Sequence, residues 1–206
     1  MEKLEIKRWI KVKKERIMAS GYGKTLTEVF FKNPRTEGTE RFIFFDQKNW
    51  SVTLAITTEG QVITVWHYYH GWDKVLQTLT GGDADFQNEK PEEVAKRELL
   101  EEAGYQTEKI IYLGSAPLST RSSRTFCSLF LALGCKKERG AKLDEEEEIE
   151  VELVPLKKWI IRTLTSVEEV ASREATYLAL PQLIEFFPEL DFNEIFREAK
   201  AAKKYI

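Results

Sequence analysis

The chain has 206 residues, 42% of them hydrophobic and 12% aromatic, which is enough apolar matter to bury a core and too much for disorder. Thirty-one Lys and Arg face 34 Asp and Glu, a net charge of −3, so the basic field that a nucleic acid partner needs is missing. The longest uncharged apolar stretch, Phe126 to Cys135, is half a membrane span, the N-terminus is charged where a signal peptide is apolar, and Cys127 and Cys135 form no Cys-x-x-Cys pair, so a cytoplasmic globular protein without a membrane partner is expected.

In chain order, Leu4, Ile6, Ile10 and Val12 share one parity, the pattern of a half-exposed strand. Thr27–Lys32 and Arg41–Phe45 read as strands on either side of the turn-rich segment 33–38. Ser51–Thr57 and Gln61–Tyr68 flank Thr58-Glu59-Gly60 as a hairpin, and Lys74–Leu79 runs toward the Gly81-Gly82 pair. Pro91 suits a first helical turn and Gly104 a C′ position, so residues 91–103 form one helix. Strands follow at Lys109–Leu113, Thr125–Leu133 and Ile149–Val154. Ser166 to Glu169 has the spacing of a capping box that opens a helix, and Phe192, Ile195, Phe196 and Ala199 mark a last amphipathic helix. The pattern is α/β with a β-rich N-terminal extension, residues 1–45, ahead of a domain over residues 46–206.

Charge is distributed unevenly. Residues 83–102 hold eight acids against three bases, and residues 144–152 hold seven acids and no base. A charge run is ordinarily a solvated face, so spacing has to say more. On a helix, Glu101 and Glu102 fall within about 60° of Glu98, so three carboxylates crowd one sector of about 100°. Like charges so placed repel by a few tenths of a kcal/mol per pair, and a cation reverses the sign. With no His or Cys among the donors, the preference is Mg²⁺ or Mn²⁺ over zinc. Ala95 and Leu99 give the helix an apolar stripe for a sheet, and Arg97 lies four residues before Glu101 and can hold its carboxylate.

Glu89, seven residues, then Arg97-Glu98-Leu99-Leu100-Glu101-Glu102-Ala103-Gly104-Tyr105 resembles the Nudix box. Every fixed position from Glu89 to Gly104 matches. The start departs from the pattern: the expected glycine falls on Asp83, with Gly81-Gly82 just before it, so the loop reads as two residues longer than usual. The resemblance extends over about residues 45–185 and points to the ADP-ribose or nucleotide-sugar pyrophosphatase branch. Val62 to Gly71 is similar to the strand before the box in that branch, with His67 at a usual glutamine and Tyr69 at a usual arginine. Thr78 to Gly82 resembles its Leu-Pro-Ala-Gly-Gly, with Thr80 near a position whose carbonyl ligates metal. Leu143 to Val151 resembles its later acidic loop, where the ligand or base falls on Glu147, with Glu145 as the alternative.

The resemblance implies a Nudix α/β/α sandwich with a mixed sheet, and metal-dependent hydrolysis of a diphosphate in a nucleoside diphosphate-linked small molecule. Glu98 and Glu102 are the expected metal ligands, and Glu101 ligates or positions water. Glu89, Arg97 and Gly104 are structural in the motif. Arg121 and Arg124 lie where the family has a substrate-facing loop, and arginine recognises phosphate bidentately. Trp66, Tyr68, Tyr69 and Trp72 can stack on a base, although ordinary core packing is the commoner use of aromatics, so most of them are expected inside. His67 and His70 fall on opposite faces of a strand and cannot share a zinc. The branch commonly dimerises through N-terminal strands, which residues 1–45 fit, so a homodimer is expected. Two alternatives remain: a catalytically weak nucleotide-binding sensor, and a nucleoside-triphosphate sanitising enzyme.

Overall fold

The computed structural model describes residues 7–85, 89–143, 148–167 and 169–202. The chain folds as two compact units, Met1–Lys48 with Pro117–Phe126, and Asn49–Ala116 with Cys127–Ile206.

The first unit is an antiparallel sheet. Its strands are β1 (Ile10–Lys11), β2 (Arg16–Gly21), β3 (Lys24–Lys32) and β4 (Thr39–Asp46). The central β3 pairs with β4 along one edge, and with β2 and then β1 along the other. Of the apolar parity set at the start of the chain, Leu4 and Ile6 lie outside the described residues, and Ile10 is 63% exposed. Strand β2 has no counterpart among the expected strands: all six of its residues are exposed, so no apolar alternation marks it. What makes it a strand is its turn. Tyr22 and Gly23 both have positive φ (47° and 69°), the pair that closes a two-residue hairpin with the right twist.

The second unit holds β5 (Trp50–Thr57), β6 (Gln61–Tyr69), β7 (Lys74–Asp83), β8 (Tyr105–Gln106), β9 (Lys109–Pro117), β10 (Phe126–Lys137) and β11 (Ile149–Pro155), with α1 (Pro91–Ala103), α2 (Leu156–Thr165), α3 (Val170–Phe186) and α4 (Phe192–Ala202). Sheet order is β11-β6-β7-β5-β10-β8, with β9 beside β10; β5 and β10 are parallel, and the pairs β11–β6, β6–β7, β7–β5 and β10–β8 are antiparallel. Continuous burial along β5 and the first half of β10 reflects cover on both faces. One face carries Ala55, Ile63 and Ala132 against Leu99 and Ala103 of α1; the other carries Leu54, Ile56 and Leu131 against Trp159, Ile160, Ala175 and Leu183 of α2 and α3. The result is the expected α/β/α sandwich with a mixed sheet.

Helix α1 has the bounds the sequence implied. Pro91 occupies its first turn, and Gly104, φ 75°, closes it with its amide on Leu100 O at 3.0 Å. Two expectations need correction. Helix α2 stands where no helix is expected, although Leu156, Trp159, Ile160 and Thr163 recur at i, i+3, i+4, i+7 and are all buried. Ser166 therefore ends α2 rather than capping α3. The cap is Glu169, whose carboxylate accepts from the amides of Ala171 and Ser172.

Candidate active site

The site is built where α1 lies over the end of β7. Strand β7 continues through Gly81 and Gly82, which pair with Val52 and Ser51, so the glycines belong to the sheet rather than to the loop of the sequence reading. They are small for a reason. A Cβ on Gly82 would occupy the space taken by the Glu98 carboxylate, and one on Gly81 would meet the Ser51 carbonyl. The Gly81 amide donates to Glu102 Oε2 at 2.9 Å, and Glu102 is 8% exposed. Both carboxylates are thus seated against the strand. Ser51 Oγ donates to Pro91 O at 2.9 Å, tying the first turn of α1 to β5. Ser51 was not anticipated, since a lone serine in a strand carries no spacing signal.

Arg97 organises the neighbouring acids. Its Nε donates to Glu89 at 3.1 Å, Nη1 to Glu98 at 2.7 Å and to Glu101 at 2.9 Å, and Nη2 to the Asp83 carbonyl at 2.8 Å. Asp85 lies 3.5 Å away. Burial alone would lower the basicity of this guanidinium, but the carboxylates of Glu89, Glu101 and Glu98 reverse that and raise it. Glu89 also accepts from the Asp85 amide at 2.7 Å, so the motif's first glutamate braces the segment that enters α1.

Tyr69 ends β6 opposite Lys74, at the start of β7, and its side chain reaches along β7 toward Thr78, three residues before Gly81. Its hydroxyl is 3.1 Å from Thr78 Oγ1. Burial pushes its phenol up to about 12 against that hydrogen bond, and the charges of Glu102 and Glu169 add to the rise. Thr80 is fully buried, and among the described residues its hydroxyl has no hydrogen-bond partner. Trp72 lies apart in the β6–β7 turn, 66% exposed with Lys74 Nζ over its ring. Trp66 and Tyr68 are 37% and 40% exposed, so the expected core use of most of these aromatics is corrected: they stand at the end of β6 beyond its buried stretch. His67 and His70 contact different rings, Tyr69 and Tyr68, and do not converge.

In the first unit, Arg124 is spent on acids. Its Nε donates to Asp46 at 3.1 Å, Nη1 to Glu15 at 2.7 Å and Nη2 to Asp46, while Asp46 also accepts the Arg124 amide at 2.9 Å. These groups line a cavity of about 460 Å³ with Thr25, Thr27 and Gln47. Arg121 is exposed on the same loop. Glu145 and Glu147 lie outside the described residues.

Among the described residues, no three His, Cys, Asp or Glu groups converge as a metal cluster. The donor chemistry nonetheless fits a hard divalent cation: Glu98, Glu101 and Glu102 offer oxygen alone, two of them seated on glycine. Among the described residues no helix is long and apolar enough to cross a membrane.

Comparison with known proteins is consistent with this geometry. The family model of the NUDIX domain matches residues 27–176. A methanol dehydrogenase activator of Bacillus methanolicus is 33% identical over 99 residues, which are 48% of this chain and 53% of that protein. The chain thus spans about half the length of the curated relative it matches. A crystal structure of ADP compounds hydrolase shares the fold with a TM-score of 0.75, at 16% identity, over 90% of this chain and 99% of that one.

Proposed function

This chain belongs to the Nudix family, and from that premise we propose that it hydrolyses the diphosphate linkage of a nucleoside diphosphate derivative, ADP-ribose or a nucleotide sugar, to a nucleoside monophosphate and a sugar phosphate. The observation that carries the proposal is the seating of Glu98 and Glu102 on Gly82 and Gly81, with Glu101 held beside them by Arg97. Glu98, Glu102 and Glu101, with the Thr80 carbonyl, are the groups that would hold Mg²⁺ or Mn²⁺. Such an ion screens phosphate oxygens and acidifies water.

The remaining roles belong to the chain. Glu147, or Glu145, takes the proton of the attacking water. The Tyr69 phenol, pushed up to about 12, stays protonated at neutral pH and offers a hydrogen-bond donor where the branch usually offers arginine. Arg121 and Trp72, both exposed, are each proposed as substrate contacts, whereas Arg124 is taken up by Asp46 and Glu15. Residues 1–45 form the dimer contact, and the exposed Ile10, Ile17 and Met18 support that use. Two buried free cysteines support a cytoplasmic setting. The methanol dehydrogenase activator among the relatives favours a second reading, in which a nucleotide-binding Nudix fold acts on a partner with little turnover.

A panel of ADP-ribose, ADP-glucose, GDP-mannose, UDP-glucose, NADH and nucleoside triphosphates, with Mg²⁺ and Mn²⁺, tests the proposal. AMP and ribose 5-phosphate should appear from ADP-ribose, and a chelator should stop their release. Tight binding with no product after long incubation would favour the second reading. Preferred turnover of triphosphates would make the chain a sanitising enzyme. Sedimentation near the monomer mass of 24.0 kDa at micromolar concentration would contradict the dimer.

A further inference from the structure

Strand β7 changes neighbours between Leu79 and Thr80. Residues up to Leu79 pair with β6, and residues from Thr80 onward pair with β5. At such a switch a main-chain amide can lose its ladder acceptor, and a buried one must find another. The Leu79 amide donates to Ser172 Oγ at 2.9 Å, and Ser172 is fully buried in the first turn of α3. Ser172 is itself held. Its amide donates to the Glu169 carboxylate at 2.5 Å, and its carbonyl accepts from Thr176 Oγ1 at 2.8 Å. Two residues beyond the switch, the Gly81 amide holds Glu102, and the next glycine underlies Glu98.

We infer that Ser172 is a positioning residue of the carboxylate site: by bolting the β7 switch to α3, it fixes the Gly81 amide against Glu102. The inference rests on the metal-binding reading of Glu98 and Glu102 given above. Ser172 acts through the strand, by its bond from the Leu79 amide, as supporting groups behind ligands do.

Mn²⁺ titrated calorimetrically into the full chain, without substrate, reads the site directly. Ser172→Ala should bind Mn²⁺ about tenfold more weakly, and Ser172→Thr, which keeps the hydroxyl, should stay within about twofold of wild type. Thr163→Ala removes a buried hydroxyl of α2, one bonded to the Ile160 carbonyl, and should lower stability without changing Mn²⁺ affinity. Wild-type affinity in Ser172→Ala, or an equal loss in Thr163→Ala, overturns the inference. Glu102→Gln separates it from the reading beneath: wild-type Mn²⁺ affinity in that variant would remove the site itself. A second measurement needs no variant. Mg²⁺ should slow hydrogen exchange at the Leu79 and Gly81 amides together, and slowing at Gly81 with Leu79 unchanged overturns the coupling.

Discussion

Arg97 and Arg124 each sit among carboxylates, yet their surroundings differ in net charge. Around Arg97 stand Asp85, Glu89, Glu98 and Glu101, four acids on one base, with Glu102 on the same helix. Around Arg124 stand Asp46 and Glu15, and Lys11 pairs with Glu15 at 2.5 Å, so two acids meet two bases. Among the described ion pairs the second set is balanced, whereas the first gathers four acids around one base, a set that a divalent cation would suit. An arginine among acids is therefore no functional signal in itself; the excess of acids over bases is.

The sharpest way to break this contrast is to remove one surplus charge. Glu102→Gln keeps size and helix propensity and retains an acceptor for the Gly81 amide. Turnover should fall at least about a hundredfold, as loss of a metal ligand or its support does, with the fold intact by circular dichroism. Wild-type turnover in this variant would sink the proposed site.

Arg97→Gln tests the cage from the other side. The Arg97 side chain is 22% exposed and Glu89 is 9% exposed, so the acids left behind are partly shielded from water. Stability should drop by about 2–3 kcal/mol, less than breaking a fully buried pair. Added Mg²⁺ should raise the melting temperature of the variant more than that of wild type, because the uncompensated charge is larger. An equal rise in both would mean that Arg97 and the ion do not share carboxylates.

How much of this was legible in the sequence depended on whether the signal was local. The helix bounds, the clustering of Glu98, Glu101 and Glu102, and the brace from Arg97 to Glu101 are set by spacing within one helix, and all were readable. Gly81 and Gly82 read as a loop, because their role is to admit groups that arrive from other elements, the Ser51 carbonyl at Gly81 and the Glu98 carboxylate at Gly82. Ser172 and Ser51 were invisible for the same reason: each bonds a strand or helix that is distant in the chain. Helix α2 is legible only in part. Its apolar period is clean, but it begins straight after β11 with no polar cap at Pro155 to mark the change.

The smallest effect is expected at Arg124, and its pH dependence is what distinguishes it. Partial burial pushes the Asp46 carboxyl up, but hydrogen bonds from the Arg124 side chain and amide outweigh that and hold it below its ordinary value of 3.8. Glu15 is held below 4.5, first by its bond from Lys11 and then by Arg124 against a small burial cost. Folded values below the unfolded ones mean a contribution fully present above the ordinary carboxylate range and lost as pH falls through the folded values. Arg124 is 48% exposed, so solvent screening keeps its pairs below about 1 kcal/mol. Urea melts of wild type and Arg124→Gln should therefore differ modestly at pH 7 and pH 5. The curves should draw together toward pH 3 and below, where Asp46 and Glu15 take up protons and the arginine loses its partners. Stability curves that stay parallel into acid would show that Arg124 contributes packing, over the Phe44 ring 5.5 Å away, rather than charge.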